Sequence, residues 1–146
     1  MKIAIGCDHA GFDLKESLKS FLLEKDFEIE DVGCFSNERC DYPQYSEAVV
    51  KFVTNQGMKG LLICGSGIGV SIVANKFKGI RAALVRSVEE AKLSRQHNDS
   101  NVLCLGARIT SVNDAYDIIT AWLNEQFEEG RHEERLKLFS NRGETC

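Results

Sequence analysis

Side chains capable of acid–base chemistry stand directly after short apolar runs of this sequence. Asp8 and His9 follow the run Lys2–Cys7, and Cys64 ends the run that begins at Leu61. A thiol beside the N-terminus of a helix can ionise to a thiolate, which can act as a base or as a nucleophile. An isolated cysteine in an apolar run is more often a buried packing residue, so Cys64 alone does not establish a catalytic thiol.

A glycine-rich segment follows Cys64 without a break. Its glycines at alternate positions, Gly65, Gly67 and Gly69, allow backbone N–H groups to converge on one point, as in a cradle for a phosphate or a developing oxyanion. The spacing does not match the G-x-G-x-x-G dinucleotide fingerprint, and no Gly-Lys-Ser/Thr follows as in a Walker loop. The segment therefore indicates either an anion site or a tight strand-to-helix turn.

Further polar residues stand at helix and strand ends in the second half of the chain. His97 and Asn98 come at the end of an amphipathic stretch, and Arg108 follows a later apolar run. Arg131 and Arg135 are four residues apart in a helical tail, so both lie on one face and could clamp a phosphate. The alternative is a solvated face on which the two arginines pair with neighbouring glutamates.

Short apolar runs alternate with longer amphipathic stretches along the whole chain. This alternation implies β-α-β crossovers and a parallel sheet covered on both faces. We therefore expect an α/β, Rossmann-like three-layer sandwich with a five-stranded parallel sheet, in one domain over 1–146 with a helical tail from about 131. In such sheets ligands bind beyond the carboxyl ends of the strands. Strands are predicted over 2–7, 27–32, 61–64, 79–85 and 102–105.

Helix starts are indicated at two serines. Ser87 with Glu90 three residues later has the form of a capping box and predicts a helix to about Gln96. Ser111 can cap a helix with an apolar face from Val112 onward. An earlier helix is predicted after the loop around 41–43.

Composition excludes several classes of protein. The chain has 146 residues, 43% hydrophobic and 27% charged, with a formal net charge of −4, so we expect neither duplex nucleic acid nor an anionic membrane as its main partner. No apolar stretch approaches the roughly 18 residues of a membrane-spanning helix. The first residues have too short an apolar run for a signal peptide, so we expect a cytoplasmic protein whose six cysteines are reduced thiols. No two cysteines have C-x-x-C spacing, so we expect no metal site.

The motifs taken together resemble the type B ribose-5-phosphate isomerase family, which also contains galactose-6-phosphate and allose-6-phosphate isomerases. The resemblance covers nearly the whole chain, with the motifs in order. The cysteine–glycine loop and the Arg-Gln-His-Asn-Asp stretch are the most specific of them. The matching segments are 6–11, 41–43, 64–69, 74–76, 94–99 and 130–132.

The resemblance implies reversible interconversion of ribose 5-phosphate and ribulose 5-phosphate through an enediolate, with no cofactor. Cys64 matches the base that moves a proton between C1 and C2, and His97 matches the residue that opens the sugar ring. Ser66 and the loop N–H groups would form an oxyanion hole. Asp8 completes the catalytic set and, with Asn98, would hold sugar hydroxyls.

The resemblance also implies a substrate-binding set and an assembly. Family members form homodimers or dimers of dimers with shared active sites, so we expect His97, Asn98 and Arg108 to act on a neighbour's substrate. The small-molecule partner would be a sugar phosphate. The substrate-binding residues expected from the family are His9, Tyr42, Gly65, Gly67, Gly69, Ser71, Asn98, Arg108, Arg131 and Arg135.

Two positions depart from patterns within the family. Ser66 replaces the threonine of many members, which keeps the hydroxyl. Val70 stands where one branch carries a glutamate base, so the expected mechanism depends on Cys64.

Galactose-6-phosphate isomerase subunits generally lose the His–Asn pair. This chain retains both His97 and Asn98, which favours the pentose phosphate as substrate. The alternatives are a hexose-6-phosphate isomerase of the same family and a non-catalytic sugar-phosphate-binding module.

Overall fold

The computed structural model describes all 146 residues and contains one five-stranded parallel sheet in the order β2-β1-β3-β5-β4. Helices cover both faces of the sheet, which confirms the predicted α/β three-layer architecture. The edge strand β4 is shorter than predicted, because Gly79 adopts a φ of +81° and the chain turns before the strand. The strands are β1 (Lys2–Cys7), β2 (Glu28–Gly33), β3 (Lys59–Cys64), β4 (Ala82–Leu84) and β5 (Val102–Gly106).

Six helices follow the predicted pattern, with one difference at the start of the second. That helix begins at Tyr42, because Pro43 fits the first turn of a helix, where its missing N–H is not needed. None of the helices combines the length and the apolar character needed to cross a membrane. The helices are α1 (Phe12–Leu23), α2 (Tyr42–Gln56), α3 (Ile68–Ala74), α4 (Val88–Asn98), α5 (Val112–Asn124) and α6 (Arg131–Lys137).

The core consists of two apolar layers, one on each face of the sheet. Alternate residues of β3 divide between them, as the two-residue period of a strand requires. Leu61 and Ile63 pack with α1, α4 and α5, whereas Leu62 and Cys64 pack with α2 and α3. The Cys64 side chain therefore lies on the face covered by α2 and α3.

The sheet has a topological switch point between β1 and β3. The chain leaves β1 toward β2 on one side and returns to β3 on the other, so the loops after β1 and β3 diverge. Because Cys7 pairs with Ile63 in the register, Asp8 and Cys64 emerge side by side at the carboxyl edge. This is the place where sheets of this kind bind ligands.

A buried ion cluster fastens α1 to β2 beside this edge. The fully buried ammonium of Lys15 lies 2.8 and 2.7 Å from the two carboxylate oxygens of Asp31, and Lys19 lies 2.7 Å from one of them. The N–H of Gly33 also donates to Asp31, at 3.0 Å. Burial would raise the pKa of the Asp31 carboxyl, but the hydrogen bonds from Lys15 and Lys19 outweigh it and lower that pKa.

We expect Asp31→Asn to lower the free energy of unfolding by about 3 kcal/mol, the lower end of the cost of breaking a buried ion pair. The buried Lys15 ammonium then keeps only the Glu16 carboxylate, 2.8 Å away and 40% exposed, as its counter-charge. Since the native pKa of Asp31 is lowered, its contribution is complete above the ordinary carboxyl range near 4 and is lost as the pH falls through the lowered value. Urea unfolding between about pH 6 and 2 measures both effects. If the free energies of unfolding of wild type and variant changed in parallel with pH, Asp31 would not be the ionised partner of Lys15 and Lys19.

Candidate active site

A cleft of about 370 Å³ opens at the carboxyl edge of β1 and β3. It lies at the switch point, and all but one of its lining residues are among the site residues predicted from the sequence. Ser71 and Gly67 support the loop from outside the lining. The residues that line the cleft are Asp8, Tyr42, Cys64, Gly65, Ser66, Gly69, Arg108 and Ile109.

Cys64 forms part of both the core and the cleft. Its side chain is 4% exposed, and its sulfur accepts a hydrogen bond from the N–H of Gly67 at 3.1 Å. Val70 is fully buried in the same apolar layer, so the position used by a glutamate in one branch of the family carries no base here. Burial raises the pKa of the neighbouring Cys104 thiol, which keeps that thiol neutral. Cys64 is the one cysteine among the residues that line the cleft.

The loop after Cys64 presents backbone donors to the cleft. The N–H groups of Gly65 and Ser66 donate to no acceptor within the chain. The Ser66 hydroxyl accepts from the N–H of Ile68 at 3.2 Å, and the Ser71 hydroxyl donates to the carbonyl of Ile68 at 2.8 Å. Two free N–H groups beside a thiol are the arrangement that stabilises a developing oxyanion.

The glycines of this loop are required by close approaches. Gly67 has a φ of +75°, and a Cβ built there would lie 2.5 Å from a Leu84 methyl and 2.8 Å from the carbonyl carbon of Leu105. A Cβ at Gly69 would lie 2.7 Å from the ring of Tyr42. The first approach lets the loop turn tightly at the end of β3, and the second brings the Tyr42 ring over the loop.

Asp8 and His9 are positioned by the turn after β1. One oxygen of Asp8 accepts from the N–H groups of Ala10 and Gly11, at 2.9 and 3.1 Å, which fixes the carboxylate beside the cleft. The Nδ1 atom of His9 lies 3.2 Å from the carbonyl oxygen of Cys40 and 3.3 Å from its amide nitrogen. His9 therefore adjoins the cleft without lining it.

Arg108 differs from the expectation that it serves a neighbouring chain. Its N–H donates to the carbonyl of Gly65 at 3.0 Å, and a Cβ at Gly65 would lie 3.2 Å from the guanidinium carbon. The side chain thus lies over the loop of its own chain and lines the same cleft as Cys64. The cause is local, since β5 lies beside β3 and ends at the same edge.

A second group of predicted residues lies at the opposite edge of the sheet. α4 runs from the carboxyl end of β4 back to the amino end of β5, which places His97 and Asn98 at the amino edge. α6 packs against α4, and its exposed Arg131 and Arg135 form no salt bridge within the chain. Because six residues of strand span about 16 Å, no side chain of this group reaches Cys64 of its own chain.

The end of α4 is held by a clamp of charged residues. Arg81 donates from Nε to the carbonyls of Asn98 and Asp99, both at 2.9 Å, and its guanidinium pairs with the Asp99 carboxylate at 2.7 Å. Arg95 donates to the other oxygen of Asp99 at 2.6 Å. Asp99, rather than Asn98, adopts the left-handed conformation, with a φ of 43°, so Asn98 stays in the last helical turn.

His97 has two neighbours that motif matching did not assign to the site. The ring of His132 stacks on it, with ring centroids 4.4 Å apart and an interplanar angle of 9°. One Glu128 carboxylate oxygen lies 3.7 Å from Nε2 of His132 and 4.0 Å from Nε2 of His97. The sequence signal for His132 is the Gly-Arg-His segment at the start of the tail, for which the family resemblance implies a role of Arg131 alone.

Comparisons with known proteins identify the relatives of this chain. A family model described as ribose/galactose isomerase matches residues 3–139. A protein of Escherichia coli named ribose-5-phosphate isomerase B is 48% identical over 140 residues, which cover 95% of this chain and 94% of that protein. A protein of Bacillus subtilis described as a putative sugar phosphate isomerase is 41% identical, with 97% and 96% of the two chains covered.

Solved structures agree with these relatives. Ribose-5-phosphate isomerase B of Clostridium thermocellum superposes with a TM-score of 0.95 at 42% identity, over 96% of this chain and 95% of that one. The enzyme of Mycoplasma genitalium, solved with bound ribulose-5-phosphate, superposes with a TM-score of 0.92 at 38% identity, over 95% and 93% of the two chains.

Substitution at Gly67 tests whether close packing of the loop shapes the cleft. We expect Gly67→Ala to destabilise the protein by about 1–3 kcal/mol more than Gly57→Ala, because overpacking adds to the cost of the left-handed conformation. Gly57 is the matched control, with a φ of +65° and no atom within 4 Å of a built Cβ. Urea unfolding of both variants gives the comparison, and equal losses would show that Gly67 needs only its conformation.

Proposed function

The chain belongs to the ribose/galactose isomerase family, and we propose that it interconverts ribose 5-phosphate and ribulose 5-phosphate with Cys64 as the base. It is an isomerase of the aldose–ketose class. The observation that carries the proposal is the Cys64 thiol in a cleft whose loop presents two free N–H groups. The relative solved with ribulose-5-phosphate supports the choice of substrate.

Ring opening comes first, because the pentose phosphate enters as a furanose. The proton of the anomeric hydroxyl leaves, the bond between C1 and the ring oxygen breaks with its electron pair on that oxygen, and the oxygen takes up a proton. His97 is the residue that we assign to this proton transfer, since an imidazole can both accept and donate near neutral pH. The product is the open aldehyde with its carbonyl at C1.

Proton transfer between carbons follows at Cys64. The thiolate takes the proton from C2, the C2 electron pair forms the enediolate double bond, and negative charge develops on O1. The same sulfur returns the proton to C1, while the proton on O2 moves to O1 and leaves a carbonyl at C2. The N–H groups of Gly65 and Ser66 stabilise the charged oxygen, and one such donor typically contributes about 10²–10³ in rate.

The proposed site combines the two edges of the sheet from two chains. Cys64 and Asp8 lie at the carboxyl edge, whereas His97 and Asn98 lie at the amino edge, too far away to meet within one chain. A homodimer or a dimer of dimers brings the amino edge of one chain to the cleft of another. Asp8 and Asn98 then hold sugar hydroxyls, and Tyr42 closes the cleft over Gly69.

The phosphate of the substrate is assigned to the free cations of the tail. Arg131 and Arg135 lie on one exposed face of α6 without carboxylate partners, so both guanidiniums are available to a dianion. His9 and Arg108 supply further donors from the cleft side. The set is spread over both edges, which again requires two chains.

We expect reduced, EDTA-treated protein to isomerise ribose 5-phosphate, and Cys64→Ala to reduce kcat at least about 10³-fold while leaving affinity for the sugar phosphate near the wild-type value. Cys146→Ala is the matched control, because that thiol is exposed and outside both groups of site residues. Turnover that survives in Cys64→Ala would make this thiol a packing residue.

The same assay separates the proposal from its two alternatives. Rates on ribose 5-phosphate, allose 6-phosphate and galactose 6-phosphate identify the preferred sugar, and we expect the pentose to give the highest kcat/KM. A higher kcat/KM on a hexose phosphate would identify the chain as a hexose-6-phosphate isomerase of the same family. Binding of all three without turnover would indicate a sugar-phosphate-binding module.

A further inference from the structure

His132 stands outside the residues assigned above, although its buried ring stacks on that of His97. Its residue is 6% exposed, whereas the His97 side chain is 39% exposed. The two rings are almost parallel and in stacking contact. A partly exposed imidazole that must transfer protons is thus backed on one side by a buried, flat surface.

The segment before α6 fixes His132 in this position. The N–H of Glu128 donates to the carbonyl of Gln96 at 3.0 Å, which ties the segment to the last turn of α4. The N–H of His132 donates to the carbonyl of Glu129 at 3.1 Å. The segment that leads into α6 is therefore attached at Gln96, the residue before His97. This attachment sets the position of the His132 ring.

Charges around the pair favour a division of roles. Burial lowers the pKa of His132, and the nearby His97, Arg131 and Arg135 lower it further against the opposing effect of Glu128. His132 is accordingly neutral near pH 7, and proton transfer is left to His97. A stacked neutral ring restricts the plane of its partner without competing for the proton.

We propose that His132 is a positioning residue that holds the ring of His97 in the plane needed for ring opening. This proposal rests on the proposed function, in which His97 transfers protons at the sugar ring.

A shared metal ion fits the pair less well, although the ligand atoms of His97, Glu128 and His132 lie within 4.8 Å of one another. In stacked rings the nitrogen lone pairs point along parallel planes, so one ion cannot lie in both planes.

Two substitutions at position 132 separate the ring from its nitrogens. We expect His132→Ala to lower kcat about 10- to 100-fold with less than about a threefold change in KM, because a loosely held group loses orientation while phosphate binding persists. His132→Phe keeps a flat ring and should restore kcat to within about threefold of wild type. Glu133→Ala, whose carboxylate pairs only with Lys137, is the control for changes in α6.

The ring protons of His97 give a readout that does not depend on activity. We expect their NMR signals to lie upfield in wild type and in His132→Phe, from the ring current of the stacked neighbour, and to move downfield in His132→Ala. Unchanged signals in His132→Ala would overturn the stack. Altered His97 signals in His132→Ala with an unchanged kcat would overturn the role of His132 in catalysis. The same conclusion would follow if the KM and the inhibition constant for inorganic phosphate rose in proportion to the loss of kcat, because phosphate binding would then be what the variant had lost.

Failure of the proposed function would look different. It would leave wild type inactive on every sugar phosphate while the ring-current shift remained.

Discussion

The geometry of a parallel sheet is the constraint on which the rest of this molecule depends. Every strand runs in the same direction, so each crossover helix must return the chain to the amino edge before the next strand begins. Residues at strand ends therefore collect at one edge, and residues at helix ends collect at the other. Cys64 belongs to the first group and His97 to the second, and the length of β3 lies between them.

This separation gives a physical reason for assembly. A chain that needs both a base at the carboxyl edge and a ring-opening histidine at the amino edge cannot unite them by folding alone. A second copy can, because its amino edge carries the same His97, Asn98 and arginines. Under this proposal the active site is complete only in the assembled protein. The unpaired guanidiniums of α6 bind the phosphate of a substrate that lies mainly in the cleft of another chain.

The cleft is built directly onto the hydrophobic core. Cys64 is buried in the α2–α3 layer, yet its sulfur meets the loop N–H of Gly67 at the edge of the cleft. That loop can pass so close to β5 because Gly67 lacks a side chain. At the other edge of the sheet, Arg81 fixes the last turn of α4, which carries His97, through its hydrogen bonds to the carbonyls of Asn98 and Asp99.

The sequence predicted the layers of the fold well, because β1, β3 and β5 are nearly continuous apolar runs, as strands buried on both faces require, and the helices between them carry apolar faces. It predicted the ends of β4 and α2 poorly, since these depend on the turn at Gly79 and on Pro43 entering the helix. The cleft residues followed from strand ends and from family motifs. His132 did not, because its stack with His97 depends on how the tail packs, which no local pattern records.

The central claim is that one active site contains Cys64 from one chain and His97 from another. The most direct test mixes two variants, Cys64→Ala and His97→Asn, each inactive alone, by unfolding and refolding them together. Random pairing leaves one intact site in each mixed dimer, so we expect about a quarter of wild-type activity at equal amounts. Activity no greater than the sum of the separate variants, with mixed dimers present, would place both residues in one chain and contradict the account.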